Sequence, residues 1–186
     1  LFAGKFVDWM GTKKGYLWAI GVWSVAACSH ALCGWATMHI EGLESIEAMK
    51  AVEAGSNAAL GIATVSVWLF LAARASLALG EAGNFPAAIK TTAEYFPKKD
   101  RAFATSIFNA GASVGALIAP VTIPPLAAAF GWEMAFIIIG ALGFLWMGFW
   151  VFMYDKPSKS KHVNAAELAY IRQDEDEPVT DTEVEE

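Results

Sequence analysis

The sequence predicts an all-α integral membrane protein, because it is rich in apolar residues and contains four long segments without charge. Of its 186 residues, 56% are hydrophobic and only 17% are charged, whereas soluble domains carry about 25% charged residues. A helix needs roughly 20 apolar residues to cross ~30 Å of hydrocarbon, so each uncharged segment can span a bilayer. The segments without Asp, Glu, Lys or Arg are 15–40, 54–73, 102–132 and 134–154.

This pattern argues against several other classes of protein. A soluble domain, a nucleic-acid-binding protein or a disordered chain cannot accommodate four such segments, and a transmembrane β-barrel requires alternating apolar and polar residues. The motifs of hydrolases, metalloproteases, P-loop proteins and dinucleotide-binding proteins are absent from the sequence. Cys28 and Cys33 are five residues apart in one apolar segment and suggest neither a disulfide nor a metal site. We therefore expect no enzyme activity, no metal, no cofactor and no nucleic-acid partner.

The uncharged segments predict four membrane spans. These cover about residues 16–38, 62–85, 102–127 and 133–154. In the outer loop 39–61, apolar residues recur three apart between glutamates, which indicates a short amphipathic helix on the membrane surface. Gly111 and Gly115 form a small-xxx-small pair in the third span and are predicted to pack against another helix.

Lys and Arg are concentrated in alternate connecting segments, and this asymmetry sets the orientation of a membrane protein. Along the chain, the five segments outside the spans hold three, one, four, none and four basic residues. The first, third and fifth are therefore predicted to be cytoplasmic. The predicted cytoplasmic segments are 1–15, 86–101 and 155–186, and the predicted periplasmic or extracellular ones are 39–61 and 128–132.

The last segment accounts for the whole net charge of −6. Residues 155–186 carry ten acidic and four basic side chains and include the block Asp174-Glu175-Asp176-Glu177. Such a block with no apolar run is typical of a solvated linker, so we predict an acidic cytoplasmic linker here. The chain opens on Leu1 and shows no signal peptide, and we interpret it as a middle piece of a longer protein.

Two charges interrupt the apolar part of the second span. Arg74 lies near the predicted midplane, and Glu81 lies seven residues later, on the same helical face and ~10 Å nearer the cytosol. A charge in hydrocarbon costs several kcal/mol, so each is expected to face a partner, a water-filled cavity or a substrate. Arg74 can bind a carboxylate and Glu81 can gain or lose a proton, which is the chemistry of an anion–proton symporter. Alternatively, the pair joins this helix to neighbouring helices that lie outside the given sequence.

Asn109, in the third span, is a further candidate for substrate binding. Its amide could line the same cavity as Arg74, or it could equally bond the backbone of a neighbouring helix.

Two stretches of sequence resemble the major facilitator superfamily. Residues 4–15, GKFVDWMGTKKG, resemble the Gly-x-x-x-Asp-Arg-x-Gly-x-Lys/Arg loop between its second and third helices, with Trp9 where the motif has arginine. Residues 74–86 and 95–101 resemble the fourth helix and its cytoplasmic exit in the anion:cation symporter branch. Within that branch the similarity is closest to bacterial hexuronate and related sugar-acid transporters.

The resemblance implies a fold of twelve helices in two six-helix bundles. The four spans would then be helices three to six of the N-terminal bundle in a bacterial inner membrane, and the linker would join the two bundles. It also implies substrate recognition by Arg74 and proton coupling by Glu81. The motif residues of the cytoplasmic gate would be Gly4, Asp8, Gly11, Lys13 and Lys14.

Three functions follow from these expectations. The first is proton-coupled symport of a hexuronate or related sugar acid by alternating access, with the lipid bilayer and the remaining helices of a longer transporter as partners. The second keeps the fold but carries another organic anion or works as a uniporter. The third is of a different class, a membrane scaffold or sensor that carries no solute.

Overall fold

A computed structural model describes residues 2–174, and the regular structure in this part of the chain is entirely helical. Of its helices, α2, α4, α5 and α6 are long and apolar enough to cross a membrane. The predicted all-α membrane fold is therefore confirmed. The helices are α1 (Phe2–Met10), α2 (Thr12–Ile40), α3 (Ile46–Lys50), α4 (Asn57–Tyr95), α5 (Lys98–Phe130), α6 (Trp132–Met153) and α7 (Ala165–Ile171).

The helix boundaries follow local chemistry. Ser45, Ser56 and Asn164 each accept a backbone N–H in the first turn of α3, α4 and α7, which satisfies a donor that the helix itself cannot. Gly11 and Gly131 separate α1 from α2 and α5 from α6 with φ of 79° and 88°. Side chains other than glycine rarely adopt these angles, so the two sharp turns depend on glycine.

Helix α4 is much longer than the apolar segment that predicted it. It continues through Pro86 and ends at Tyr95, ten residues past the expected end at Phe85. Proline is tolerated within membrane helices because neighbouring groups satisfy the freed backbone. Helix α5 likewise continues through Pro120, Pro124 and Pro125 without interruption.

Helix α2 packs between α4 and α6 by close approach at glycines. A Cβ added at Gly80 of α4 would lie 2.5 Å from the Trp23 nitrogen and 2.9 Å from the Ala19 oxygen. One added at Gly140 of α6 would lie 2.9 Å from the Ser24 oxygen. Small residues thus allow the backbones to meet, as in other membrane-helix interfaces.

An aromatic cluster joins the outer halves of the same three helices. His30 of α2 is fully buried, its Nδ1 hydrogen bonds the Ala26 oxygen at 2.7 Å, and its ring stacks on Phe136 of α6 at 4.8 Å. The ring centroid of Phe70 in α4 lies 6.0 Å from that of His30. These contacts give His30 a packing role between α2, α4 and α6.

The beginning of the predicted linker is more ordered than a solvated segment. Helix α7 docks on the cytoplasmic end of α5: Tyr170 donates a hydrogen bond to Asp100 at 2.7 Å, and Lys99 lies 4.5 Å from the Tyr170 ring centre. Asp174 accepts a hydrogen bond from the Lys98 backbone N–H, which caps α5. An aromatic side chain and a capping carboxylate thus anchor the first part of the predicted linker to α5. The remaining acidic residues, 175–186, lie outside the described residues.

Candidate functional site

The candidate site is an exposed face of α4 that carries two charges within the membrane span. Arg74 and Glu81 are both exposed, and neither has a hydrogen bond or ion pair with any residue in 2–174. Their spacing of seven residues places them on one stripe of the helix, ~10 Å apart along its axis. Helix α2 packs against a different face of α4, at Gly80 and Gly83. The two charges thus point away from the interface between α4 and α2.

Arg74 and Glu81 form no hydrogen bond or ion pair with α2, α5 or α6 within residues 2–174. This position agrees both with a role in ligand binding and with contact to helices outside these residues. An unpaired charge is costly in hydrocarbon and acceptable only beside water, a substrate or further protein. The face is therefore suited to line a polar cavity or a polar contact with further protein.

Asn109 of α5 is exposed, as are Gly111 and Gly115, two and six residues further along. A Cβ added at either glycine would meet nothing within 4 Å, so neither packs against the described residues. The glycines that do mediate packing here are Gly80 and Gly140, which sequence spacing did not single out.

An aromatic pair connects α4 to α5 at the cytoplasmic end of the charged stripe. Phe85 lies four residues after Glu81, and its ring meets that of Phe108 edge to face, with centroids 5.4 Å apart. Phe85 is 54% exposed, whereas Phe108 is half-buried. Asn109 follows Phe108 directly in α5 and points about 100° away from it around the helix.

The motif loop before α2 is held by ion pairs to α4 and to the segment after α6. Asp8 accepts a hydrogen bond from Lys90 at 2.6 Å, and Lys13 contacts Asp155 at 2.9 Å. Lys14 is exposed. Two charges of the predicted gate motif, Asp8 and Lys13, thus have partners even though Trp9, which is 82% exposed, replaces the motif arginine.

Other motif residues act through the backbone. Gly11 provides the positive φ that turns the chain into α2, and its oxygen accepts from the Gly15 nitrogen at 2.8 Å. A Cβ at Gly15 would lie 3.0 Å from the Val7 Cα, so this glycine permits close packing of α1 on α2. Gly4 has open space around it within the described residues.

A carboxylate cluster that sequence spacing did not indicate joins the cytoplasmic ends of three helices. Glu94 of α4 accepts hydrogen bonds from Thr12 of α2, at 2.5 Å, and from Tyr154, the residue after α6. Burial, and then the hydrogen bond to Glu94, raise the pKa of the Tyr154 hydroxyl above its usual range, so the phenol remains a donor at neutral pH. Lys13 takes part through its backbone oxygen, which accepts from the Trp150 indole at 3.2 Å. The cluster fixes the ends of α2, α4 and α6 relative to one another.

Comparison with known proteins identifies relatives that match most of the chain. Residues 1–181 match the Major Facilitator Superfamily. The chain is 34% identical over 169 residues to the hexuronate transporter of Escherichia coli strain K12, covering 91% of this chain and 32% of that protein. It is 30% identical to the galacturonate transporter of Dickeya chrysanthemi, covering 91% and 40%, and 29% identical to the D-galactonate transporter of Escherichia coli O6:H1, covering 91% and 32%.

The chain therefore spans about a third of the length of the curated relatives that it matches, 32% to 40% in these three. The matched family and these relatives are transporters and not enzymes, which agrees with the expectation from the sequence. Together with the four apolar helices, the matches indicate a multi-pass protein of the bacterial inner membrane. The chain belongs to the Major Facilitator Superfamily.

Proposed function

We propose that this chain forms part of the N-terminal bundle of a secondary transporter that moves a sugar acid, such as a hexuronate, together with protons. The observation that supports this most directly is the exposed stripe of Arg74 and Glu81 on α4, which has no partner among the described residues. Three relatives named for hexuronate, galacturonate and galactonate transport support the substrate class.

Arg74 is the proposed substrate-binding residue. Its guanidinium remains charged and presents parallel N–H donors that match a carboxylate. At the middle of a membrane span, where few other groups hydrogen bond the anion, such a pair contributes both affinity and selection for acids. Asn109 on the neighbouring helix is a candidate to bind the hydroxyl groups of a sugar acid.

Glu81 is the proposed proton-coupling residue. A bound anion and an ionised Glu81 on one stripe repel each other, so binding of the anion favours protonation of Glu81. Substrate and proton then bind cooperatively, and by linkage each raises the affinity for the other. Cooperative binding allows the two to cross the membrane together.

Alternating access requires a second set of helices to close the cavity from each side in turn. Residues 2–174 provide four helices long and apolar enough to span a membrane, and the relatives are about three times as long as the chain. We therefore propose that the remaining helices of a longer transporter cover the stripe and complete the cavity. They are also the proposed partners of Gly111 and Gly115.

Uptake of labelled galacturonate or glucuronate into proteoliposomes that contain the full-length protein tests this proposal. An inward proton gradient is expected to drive accumulation, and Arg74→Ala is expected to abolish it. Lys50→Ala, which removes a cation from the outer loop instead, serves as the control. Wild-type accumulation by an Arg74→Ala, Glu81→Gln double variant would overturn the mechanism.

A second candidate keeps the fold and changes the solute. The chain is 36% identical over 118 residues to a probable sulfoacetate transporter of Cupriavidus necator, and a sulfonate is also an anion that an arginine can bind. Inhibition of labelled-hexuronate uptake by unlabelled sulfoacetate or galactonate ranks the affinities of the protein for these anions. Uptake that persists at an unchanged level with a protonophore would indicate a uniporter.

A scaffold or sensor is the remaining alternative. It predicts that the full-length protein shows no flux of any organic anion. It also predicts that substitution of Arg74 leaves the binding of partner proteins unchanged.

A further inference from the structure

A basic cavity of about 420 Å³ opens at the predicted cytoplasmic surface, between the start of α5, the segment after α6 and the end of α7. Its wall includes four basic residues, Lys98, Arg101, Lys156 and Arg172, and two acidic ones, Glu94 and Asp174. Because the basic side chains outnumber the acidic ones, the wall favours an anionic ligand.

The two acidic side chains of the basic cavity hold helix ends together. Glu94 accepts hydrogen bonds from α2 and from the residue after α6, and Asp174 caps α5. Within residues 2–174 neither carboxylate forms an ion pair with Lys156. The ammonium group of Lys156 can therefore bind a ligand without breaking a contact that holds the helices.

The turn after α6 presents two further lysines close to the basic cavity. The Lys156 oxygen accepts backbone hydrogen bonds from Lys159 at 2.7 Å and from Ser160 at 2.9 Å, which closes a tight turn. Lys156, Lys159 and Lys161 are exposed, and in the described part of the chain none of them forms an ion pair. Residues 156–164 contain no acidic side chain. Three ammonium groups next to the end of a membrane span are thus available to an external anion.

An apolar groove of about 360 Å³ lies next to the basic cavity. It is lined by the last turns of α4 and α6 and by Tyr154, whereas Lys156, just after α6, lines the basic cavity. The rings of Trp150 and Tyr154 stack along the groove with centroids 4.2 Å apart, and Met153 is 71% exposed beside them. Tryptophan and tyrosine are typical of the membrane–water interface. The groove therefore lies at the depth where acyl chains meet lipid headgroups.

We propose that the basic cavity and the apolar groove together bind an anionic phospholipid of the inner membrane. Lys156 and Lys159 bind its phosphate, and an acyl chain occupies the groove beside Trp150 and Tyr154. Basic clusters immediately next to membrane spans attract anionic headgroups, and burial of an acyl chain adds a hydrophobic contribution that a soluble phosphate lacks. The bound lipid holds the segment between α6 and α7 at the membrane surface, whichever solute the transporter carries.

Titration of the purified full-length protein with lipids in detergent, followed by native mass spectrometry, tests this site. Cardiolipin, an anionic lipid, is expected to bind more tightly than zwitterionic phosphatidylcholine. The double variant Lys156→Gln, Lys159→Gln should bind cardiolipin about tenfold more weakly or worse, because each lysine near an anionic lipid surface contributes roughly fivefold in affinity. Its binding of phosphatidylcholine should be unchanged. Lys5→Gln, Lys50→Gln is the matched control, because it removes two exposed lysines that lie outside the basic cavity, and it should keep the affinity of the wild type.

A charge-conserving variant separates loss of charge from loss of structure. Lys156→Arg, Lys159→Arg should bind cardiolipin as the wild type does. Soluble glycerol 3-phosphate in large excess should not displace cardiolipin, because it has no acyl chain, and displacement would overturn the lipid site in favour of one for a soluble phosphate. Equal cardiolipin affinity of the glutamine double variant and its control would also overturn the proposal, as would equal affinity of the wild type for the two lipids.

Discussion

Thr12 at the start of α2 donates a hydrogen bond of 2.5 Å to Glu94 near the end of α4, across 82 positions of sequence. The hydroxyl of Tyr154 donates to the other carboxylate oxygen, so one side chain connects three membrane helices at their cytoplasmic ends. Relative motion of these helices would break both bonds. The contact supports movement of α2, α4 and α6 as one unit.

Replacement of Glu94 tests this connection. Glu94→Ala removes the acceptor of two hydrogen bonds to a charged group and is expected to lower the free energy of unfolding by about 2 kcal/mol or more. Glu94→Gln keeps one acceptor and should cost less. Thermal unfolding of the purified protein in detergent measures both, with Glu53→Ala in the exposed outer loop as the control. Equal stability of Glu94→Ala and the control would contradict the connection.

Gly80 is expected to tolerate no added methyl group. The Cβ of Gly80→Ala would lie 2.5 Å from the Trp23 nitrogen, and relief of such a clash by shifting helices costs about 1–3 kcal/mol. Gly148→Ala is the control, because its Cβ meets nothing within 4 Å and alanine favours a helix over glycine by roughly 0.5–1 kcal/mol. Thermal unfolding should therefore shift in opposite directions for the two variants. A stabilising Gly80→Ala would show that α2 and α4 do not approach as described.

The ion pair between Asp8 and Lys90 should affect the uptake rate of the transporter modestly and change the free energy of unfolding little. It has a 2.6 Å contact, but the Asp8 side chain is 71% exposed, and exposed pairs contribute about 0.2–1 kcal/mol. We expect Asp8→Lys to change the uptake rate of the full-length transporter by no more than about fivefold. The double variant Asp8→Lys, Lys90→Asp should recover part of the loss. Failure of the double variant to improve on Asp8→Lys would indicate that the pair has no role.

No side chain in residues 2–174 lies within 4 Å of a Cβ added at Gly115, which leads to a prediction about the rest of the transporter. If further helices pack here, Gly115→Leu should abolish uptake by the full-length protein while the variant still reaches the membrane. Ala110→Leu is the control and should retain uptake, because Ala110 is also exposed on α5 but lies about 140° around the helix from Gly115 and about 100° from Asn109. Equal uptake by the two variants would remove the predicted packing role of Gly111 and Gly115.

The sequence was sufficient to predict the helical membrane fold because hydrophobic length directly determines which segments cross a bilayer. Charge spacing likewise identified Arg74 and Glu81 on one face of α4. It did not identify Gly80 and Gly140 as packing glycines, since spacing alone does not reveal which helix face meets a neighbour.

Glu94 was also not predicted, because the second span was expected to end at Phe85, before Pro86. Continuation of α4 through Pro86 depends on packing against other helices, and the helix propensities of the local residues do not reveal such packing. The docking of Tyr170 on Asp100 depends in the same way on a contact between distant residues.

Separation of substrate exchange from net uptake tests the central proposal most directly. In proteoliposomes with labelled hexuronate, Glu81→Gln should still exchange external for internal substrate, because glutamine mimics the protonated side chain, but a proton gradient should no longer drive accumulation. Arg74→Ala should lose both activities, because the anion is no longer bound. Gradient-driven accumulation by Glu81→Gln, or unchanged exchange by Arg74→Ala, would contradict the assigned roles.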